Sequence, residues 1–123
     1  MAASWTAAES LQLVQSFIDT RDTWGDSFDV STFWVRLQEN YNSVFPNNPR
    51  VRDSLIAKWR SIRKEINEFN DIVRELHVQR FGGLPPPGIP DDNNLITAAK
   101  LLFLERQGHI FAYEDAWALY FGV

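Results

Sequence analysis

Apolar residues along this chain recur at the spacing of α-helices, with polar or proline-rich breaks between the runs. Leu11, Val14, Phe17 and Ile18 share one face of a first helix. Thr6 and Glu9 stand in the order T-x-x-E, a capping box in which each side chain satisfies the other's free backbone N–H, so the helix starts at Thr6. From Thr20 to Val30 the period is lost. Gly25 and three Asp predict a loop there, with Trp24 and Phe28 pinning it to the core. Ser31 or Thr32 caps a second helix that carries Phe33, Trp34, Leu37, Tyr41 and Val44. Phe45-Pro46-Asn47-Asn48-Pro49 ends it with a dense turn signal.

The third helix is the longest, from about Arg52 to Arg80. Leu55, Trp59, Ile62, Ile66, Phe69, Val73 and Leu76 repeat at alternating spacings of four and three, which is one continuous apolar stripe. Only Asn70 and Asp71 hint at a bend. Gly82-Gly83-Leu84-Pro85-Pro86-Pro87-Gly88 reads as a linker, stiffened by its prolines. Asp91 or Asp92 caps a fourth helix with Leu95, Ala98, Ala99, Leu102 and Phe103, and Gly108 stops it. A short fifth helix, about Tyr113 to Tyr120, carries Trp117. No strand and no internal repeat is legible. The expected fold is all-α: a three-helix unit over 1–81 with an elongated third helix, a Gly/Pro linker over 82–90, and a helical segment over 91–123 packed on that helix in the same compact domain.

Composition supports a buried core. Hydrophobic residues make up 45% of the 123 positions and aromatics 14%, so large rings must supply much of the burial. Trp5, Trp34 and Trp59 fall on three different predicted helices, which describes a core rather than a site. The chain has no cysteine, which excludes disulfide and thiolate chemistry. No run reaches the roughly 20 apolar residues a membrane span needs. The first residues, MAASWTAAESLQ, lack the basic start and apolar run of a signal peptide, so an intracellular setting is expected.

Signals for catalysis are absent from the sequence. His77 and His109 lie in different segments and form no metal-ligand spacing, and each reads as an ordinary surface residue. No nucleophile elbow, Cys–His pair or phosphate loop is present. Asp91-Asp92 can be read as a metal-binding pair, but helix capping explains both residues more simply. No enzyme activity, cofactor, metal or small-molecule substrate is expected.

Charge is where the sequence becomes informative. The net charge is −4, yet residues 50–64 carry Arg50, Arg52, Lys58, Arg60, Arg63 and Lys64 against Asp53 alone. Half of the 12 basic residues thus sit in fifteen positions. On a wheel of helix three with Leu55 at zero, Arg60, Arg63, Lys64 and Asn67 fall between about 80° and 180°, beside the apolar stripe. Lys58 lies on the other side, and Arg50 and Arg52 sit where the chain enters the helix. A helix that buries one face and offers Arg, Lys and Asn along another has what DNA recognition needs: donors for base edges and cations for phosphates. Arg60, Arg63, Lys64 and Asn67 are the candidates for base edges or phosphates, and Arg50, Arg52 and Lys58 for the backbone. The same face also fits a merely solvating role, or the docking of a protein partner. The apolar stripe admits pairing with a second copy, although burial within the chain is favoured because the other helices need that face covered.

These residues also carry a resemblance. Trp5 to Glu9 in the order W-T-x-x-E, Phe33 to Tyr41 in the order F-W-x-x-L-x-x-x-Y, and then Arg52, Leu55, Ile56, Lys58, Trp59, Arg60 and Ile62 together resemble Myb/SANT-like domains. The likeness is to the plant trihelix-like group associated with PIF/Harbinger-type transposons. The continuation Asn67 to Asn70 and a tail from Asp91 or Asp92 through Ala98, Phe103 and Phe111 to Trp117 fit the same pattern. The resemblance implies a helical fold, a nuclear setting, a third helix that contacts DNA or protein, and no catalytic residue. Proteins of that group are usually more basic than this chain, whose pI is near 5.1. The expectation is therefore a non-catalytic binding module, DNA-binding through helix three or, alternatively, a protein–protein interaction module with a transposase, chromatin or receptor partner. A monomer or weak homodimer is expected, away from membranes.

Overall fold

Thr6 and Glu9 start the first helix by satisfying each other. The Thr6 hydroxyl accepts the Glu9 backbone N–H at 3.1 Å, and the Glu9 carboxylate accepts the Thr6 N–H at 3.1 Å. In the computed structural model, which describes residues 4–25 and 29–122, this capping box opens α1 (Ala7–Trp24). It is followed by α2 (Val30–Val44), α3 (Arg52–Phe81), α4 (Asn93–Gln107) and α5 (Glu114–Phe121). Among the described residues there is no strand, and the fold is all-α. None of the helices is long and apolar enough to cross a membrane.

Three local expectations need correction. Residues 21–24 are not loop: α1 continues to Trp24 and stops at Gly25, whose φ of 57° suits a residue without Cβ. Trp24 does not pin a loop to the core. It is 39% exposed and lies under the Arg36 guanidinium, 4.8 Å from its ring centre. Phe28, the other residue expected to pin that loop, lies outside the described residues. The cap of α2 is Asp29, which accepts the Thr32 N–H at 2.8 Å, rather than Ser31 or Thr32. The cap of α4 is Asp92, which accepts the Leu95 N–H at 3.0 Å, and Gly108 ends that helix in the left-handed conformation. α3 runs as one helix through Asn70 and Asp71.

The chain divides into two compact units, Met1–Ile62 and Arg63–Val123, so the division falls inside α3. In the first unit Leu13 and Val14 of α1, Leu37 and Tyr41 of α2, and Leu55, Trp59 and Ile62 of α3 are buried. Phe17 stacks on Trp59 with ring centres 4.0 Å apart. Trp5 is not on α1 but one residue before its cap, half-buried, 5.8 Å from the Tyr41 ring.

In the second unit the stripe continues through Ile66, Phe69 and Val73, all buried. Phe69 is the centre of a ring cluster: Phe111 stacks on it at 4.1 Å and Trp117 meets it edge-on at 4.9 Å. Phe103 of α4 joins at 6.3 Å. Each such ring pair adds about 0.5–1.5 kcal/mol beyond simple burial, so this cluster accounts for the docking of α4 and α5 on the second stretch of α3. The apolar stripe is thus covered from within the chain, and only its last member, Leu76, is half-buried.

Candidate nucleic-acid interface

The seven candidate residues do not share one environment. Arg52 and Arg60, on the stretch of α3 in the first unit, are exposed. Arg63, Lys64 and Asn67, on the stretch in the second unit, are exposed as well. None of these five side chains has a hydrogen-bond or ion-pair partner among the described residues. Within each stretch the wheel angles hold: Arg52 and Arg60 lie about 60° and 140° from Leu55, and Arg63, Lys64 and Asn67 about 60–160° from Ile66. The buried stripe fixes the helix axially, and the cations are left on its open side.

Lys58 and Arg50 behave differently. Lys58 is half-buried with its ammonium 5.8 Å from the centre of the Trp5 ring. Arg50, expected to hold a nucleic-acid backbone, is only 6% exposed. Its guanidinium donates to the Glu9 carboxylate from Nη2 at 3.0 Å and from Nε at 3.3 Å, and it covers the Trp5 ring at 4.3 Å. Its main chain is held too. The Asn42 Oδ1 accepts the Arg50 N–H at 2.9 Å, and the Asn42 and Gln38 amides donate to the Arg50 carbonyl. The reason is local: the Pro46–Pro49 turn delivers Arg50 into the space between α1 and α2, where a capping carboxylate already waits.

That carboxylate is saturated. Glu9 also accepts from Asn48 Nδ2 at 2.9 Å and from the Tyr41 hydroxyl at 3.3 Å. Burial pushes its pKa up, but the Thr6 N–H and the Arg50 guanidinium outweigh that and hold it below the usual glutamate range. Burial and the neighbouring Glu9 charge push the Tyr41 hydroxyl up to about 12. Among the described residues no buried side-chain polar atom lacks a partner, so this cluster clamps the fold.

The remaining cations sharpen the contrast. Arg21, Arg36, Arg50, Lys100 and Arg106 are the basic residues outside α3, and each forms an ion pair, with Asp22, Glu39, Glu9, Glu114 and Glu75. On α3, Arg80 pairs with the carboxylate of Asp92 at 3.3 Å. Arg74 is exposed and without a partner among the described residues, at about 100° on the wheel. Reading the wheel past Asn67 would have found it. Thus the cations left without a partner among the described residues, Arg52, Arg60, Arg63, Lys64 and Arg74, all belong to one helix.

The two histidines have local partners. His109 donates to the Glu65 carboxylate at 2.8 Å, which raises its pKa. His77 Nδ1 donates to the Gly83 carbonyl at 2.8 Å. Among the described residues no group of three or more His, Asp or Glu is placed to hold a metal ion. No family model matches this chain, and no curated protein and no solved structure matches it.

Proposed function

We propose that this protein is a non-catalytic binding module that engages DNA through the exposed flank of α3. One observation carries the proposal: the cations without partners gather on that helix, while every described cation outside it is neutralised by a carboxylate. In an acidic protein, an unpaired row of like charges on one helix is costly unless an anion completes it. Arg60, Arg63, Lys64 and Asn67 would approach base edges or phosphates, and Arg52 would hold backbone. Arg50 would act indirectly, by fixing the entry to α3, and Lys58 would be held back by Trp5. The residues that resemble Myb/SANT-like domains point the same way, and with them to a nuclear setting.

The test is an anisotropy titration with a random-sequence duplex pool across a salt series. Four phosphate contacts predict a slope of log affinity against log salt of about −3.6. Well-folded protein with no binding at low salt would sink the reading.

A second reading, a protein-interaction module, draws on a different observation. In the second unit Leu101, Leu104 and Ile110 are 64%, 41% and 69% exposed. Affinity capture with the Arg60→Glu, Arg63→Glu variant separates the two. A partner held by that apolar set survives charge reversal, and DNA does not.

A further inference from the structure

The second unit carries a groove of about 380 Å³ that the DNA reading leaves unused. Its floor is Asn70, Val73 and Arg74 of α3, and its facing wall is Pro85, Pro86, Pro87, Gly88 and Pro90, with Phe121 completing it. The wall is rigid for reasons written in the sequence. Four prolines fix φ. The segment is tied at one end by His77 to the Gly83 carbonyl and at the other by Arg80 to Asp92. Ile89 rests where Gly122 lacks a side chain: its Cγ1 lies 3.0 Å from the place a Cβ would occupy.

The polar side chains of the groove are Asn70 and Arg74. Trp117 Nε1 donates to Asn70 Oδ1 at 3.0 Å, which fixes the amide and leaves its NH₂ to donate. Arg74 has no partner among the described residues. No lining side chain is acidic. The groove therefore presents donors beside apolar surface, which is complementary to an anion on an apolar body. The guanidinium fork matches a carboxylate in two parallel bonds. A peptide strand is a poorer fit, because the proline wall supplies a single backbone N–H, that of Gly88, to pair with it. The volume lies at the lower end of the range for small-molecule sites.

We propose that this groove binds a small apolar carboxylate, anchored by Arg74 and oriented by the Asn70 amide. Arg74 also belongs to the row of α3 cations without partners among the described residues, but the DNA reading assigns it no contact. The probe is 4-phenylbutyrate, followed by backbone NMR shifts of the full chain, with its amide and inorganic phosphate as comparison ligands. Saturable shifts at Val73, Arg74 and Phe121 are expected in the millimolar range. The amide and the Arg74→Gln variant should each bind about tenfold more weakly. Phosphate, lacking the apolar body, should bind more weakly than the carboxylate. The Arg106→Gln variant loses the same charge elsewhere and should bind as the parent does. No saturable shift would overturn the proposal. So would an equal response to the amide or phosphate, full binding by Arg74→Gln, or an equal loss in Arg106→Gln.

Discussion

Arg50 and Glu9, 41 positions apart, form a salt bridge of 3.0 Å with each side chain only 5% exposed. The bridge locks the start of α1 to the segment that leads into α3. Removing one partner strands the other charge in a poorly solvated place. Arg50→Ala and Glu9→Ala should each cost about 3–5 kcal/mol. The double variant should cost clearly less than the sum, because neither charge is then left alone. Urea unfolding of the four proteins measures this. Additive losses would show that the bridge contributes little.

The same cluster sets the pH dependence. Tyr41 has its pKa raised to about 12 from an ordinary value of 10.0, so its contribution is complete below pH 10 and is lost as pH rises through 12. Glu9 has its pKa lowered from 4.5, so its contribution is present above that value and fades as pH falls through the lower, folded one. Stability measured by urea unfolding at a series of pH values should fall at both ends. Tyr41→Phe should remove most of the alkaline loss and leave the acid one. An alkaline limb unchanged in that variant would assign the loss to other groups.

What was legible in the sequence was local or periodic. The Thr6–Glu9 box spans three residues, and the α3 stripe repeats over seven apolar positions, so both could be read from one window. The exposure of Arg60, Arg63, Lys64 and Asn67 followed from the same wheel. The end of α1 was hidden because its last turn, Arg21 to Trp24, faces solvent and shows no apolar period. Asp29 competed with Ser31 and Thr32 for one cap, and only the hydrogen bond to Thr32 decides between them. Arg50 was misplaced for a deeper reason. Glu9 was already explained by its cap, and nothing in a linear reading says that the same carboxylate accepts from Tyr41, Asn48 and Arg50 as well.

The division between paired and unpaired cations gives a sharp test of the interface. Lys64 is exposed and without a partner among the described residues, whereas Arg106 donates to Glu75 at 2.9 and 3.1 Å. Lys64→Gln and Arg106→Gln change net charge equally. If the α3 flank is the contact, only Lys64→Gln should flatten the salt slope of DNA binding, by about 0.9. Equal flattening in both variants would mean that DNA senses net charge and not this helix.

Asn70 and Trp117 allow a similar separation inside the second unit. Trp117 is 1% exposed, so its indole N–H has no access to water and depends on the Asn70 oxygen at 3.0 Å. Asn70→Ala orphans that donor and should destabilise the protein by about 1–3 kcal/mol. Asn70→Asp keeps an acceptor in place, so it should cost less. Trp117→Phe removes the donor along with part of the ring, and adding Asn70→Ala to it should cost little more. Urea unfolding of these variants gives the coupling directly. If Asn70→Ala and Asn70→Asp are equally destabilised, the hydrogen bond is not what holds α5 to α3, and the edge-on contact of Trp117 with Phe69 would have to carry that role.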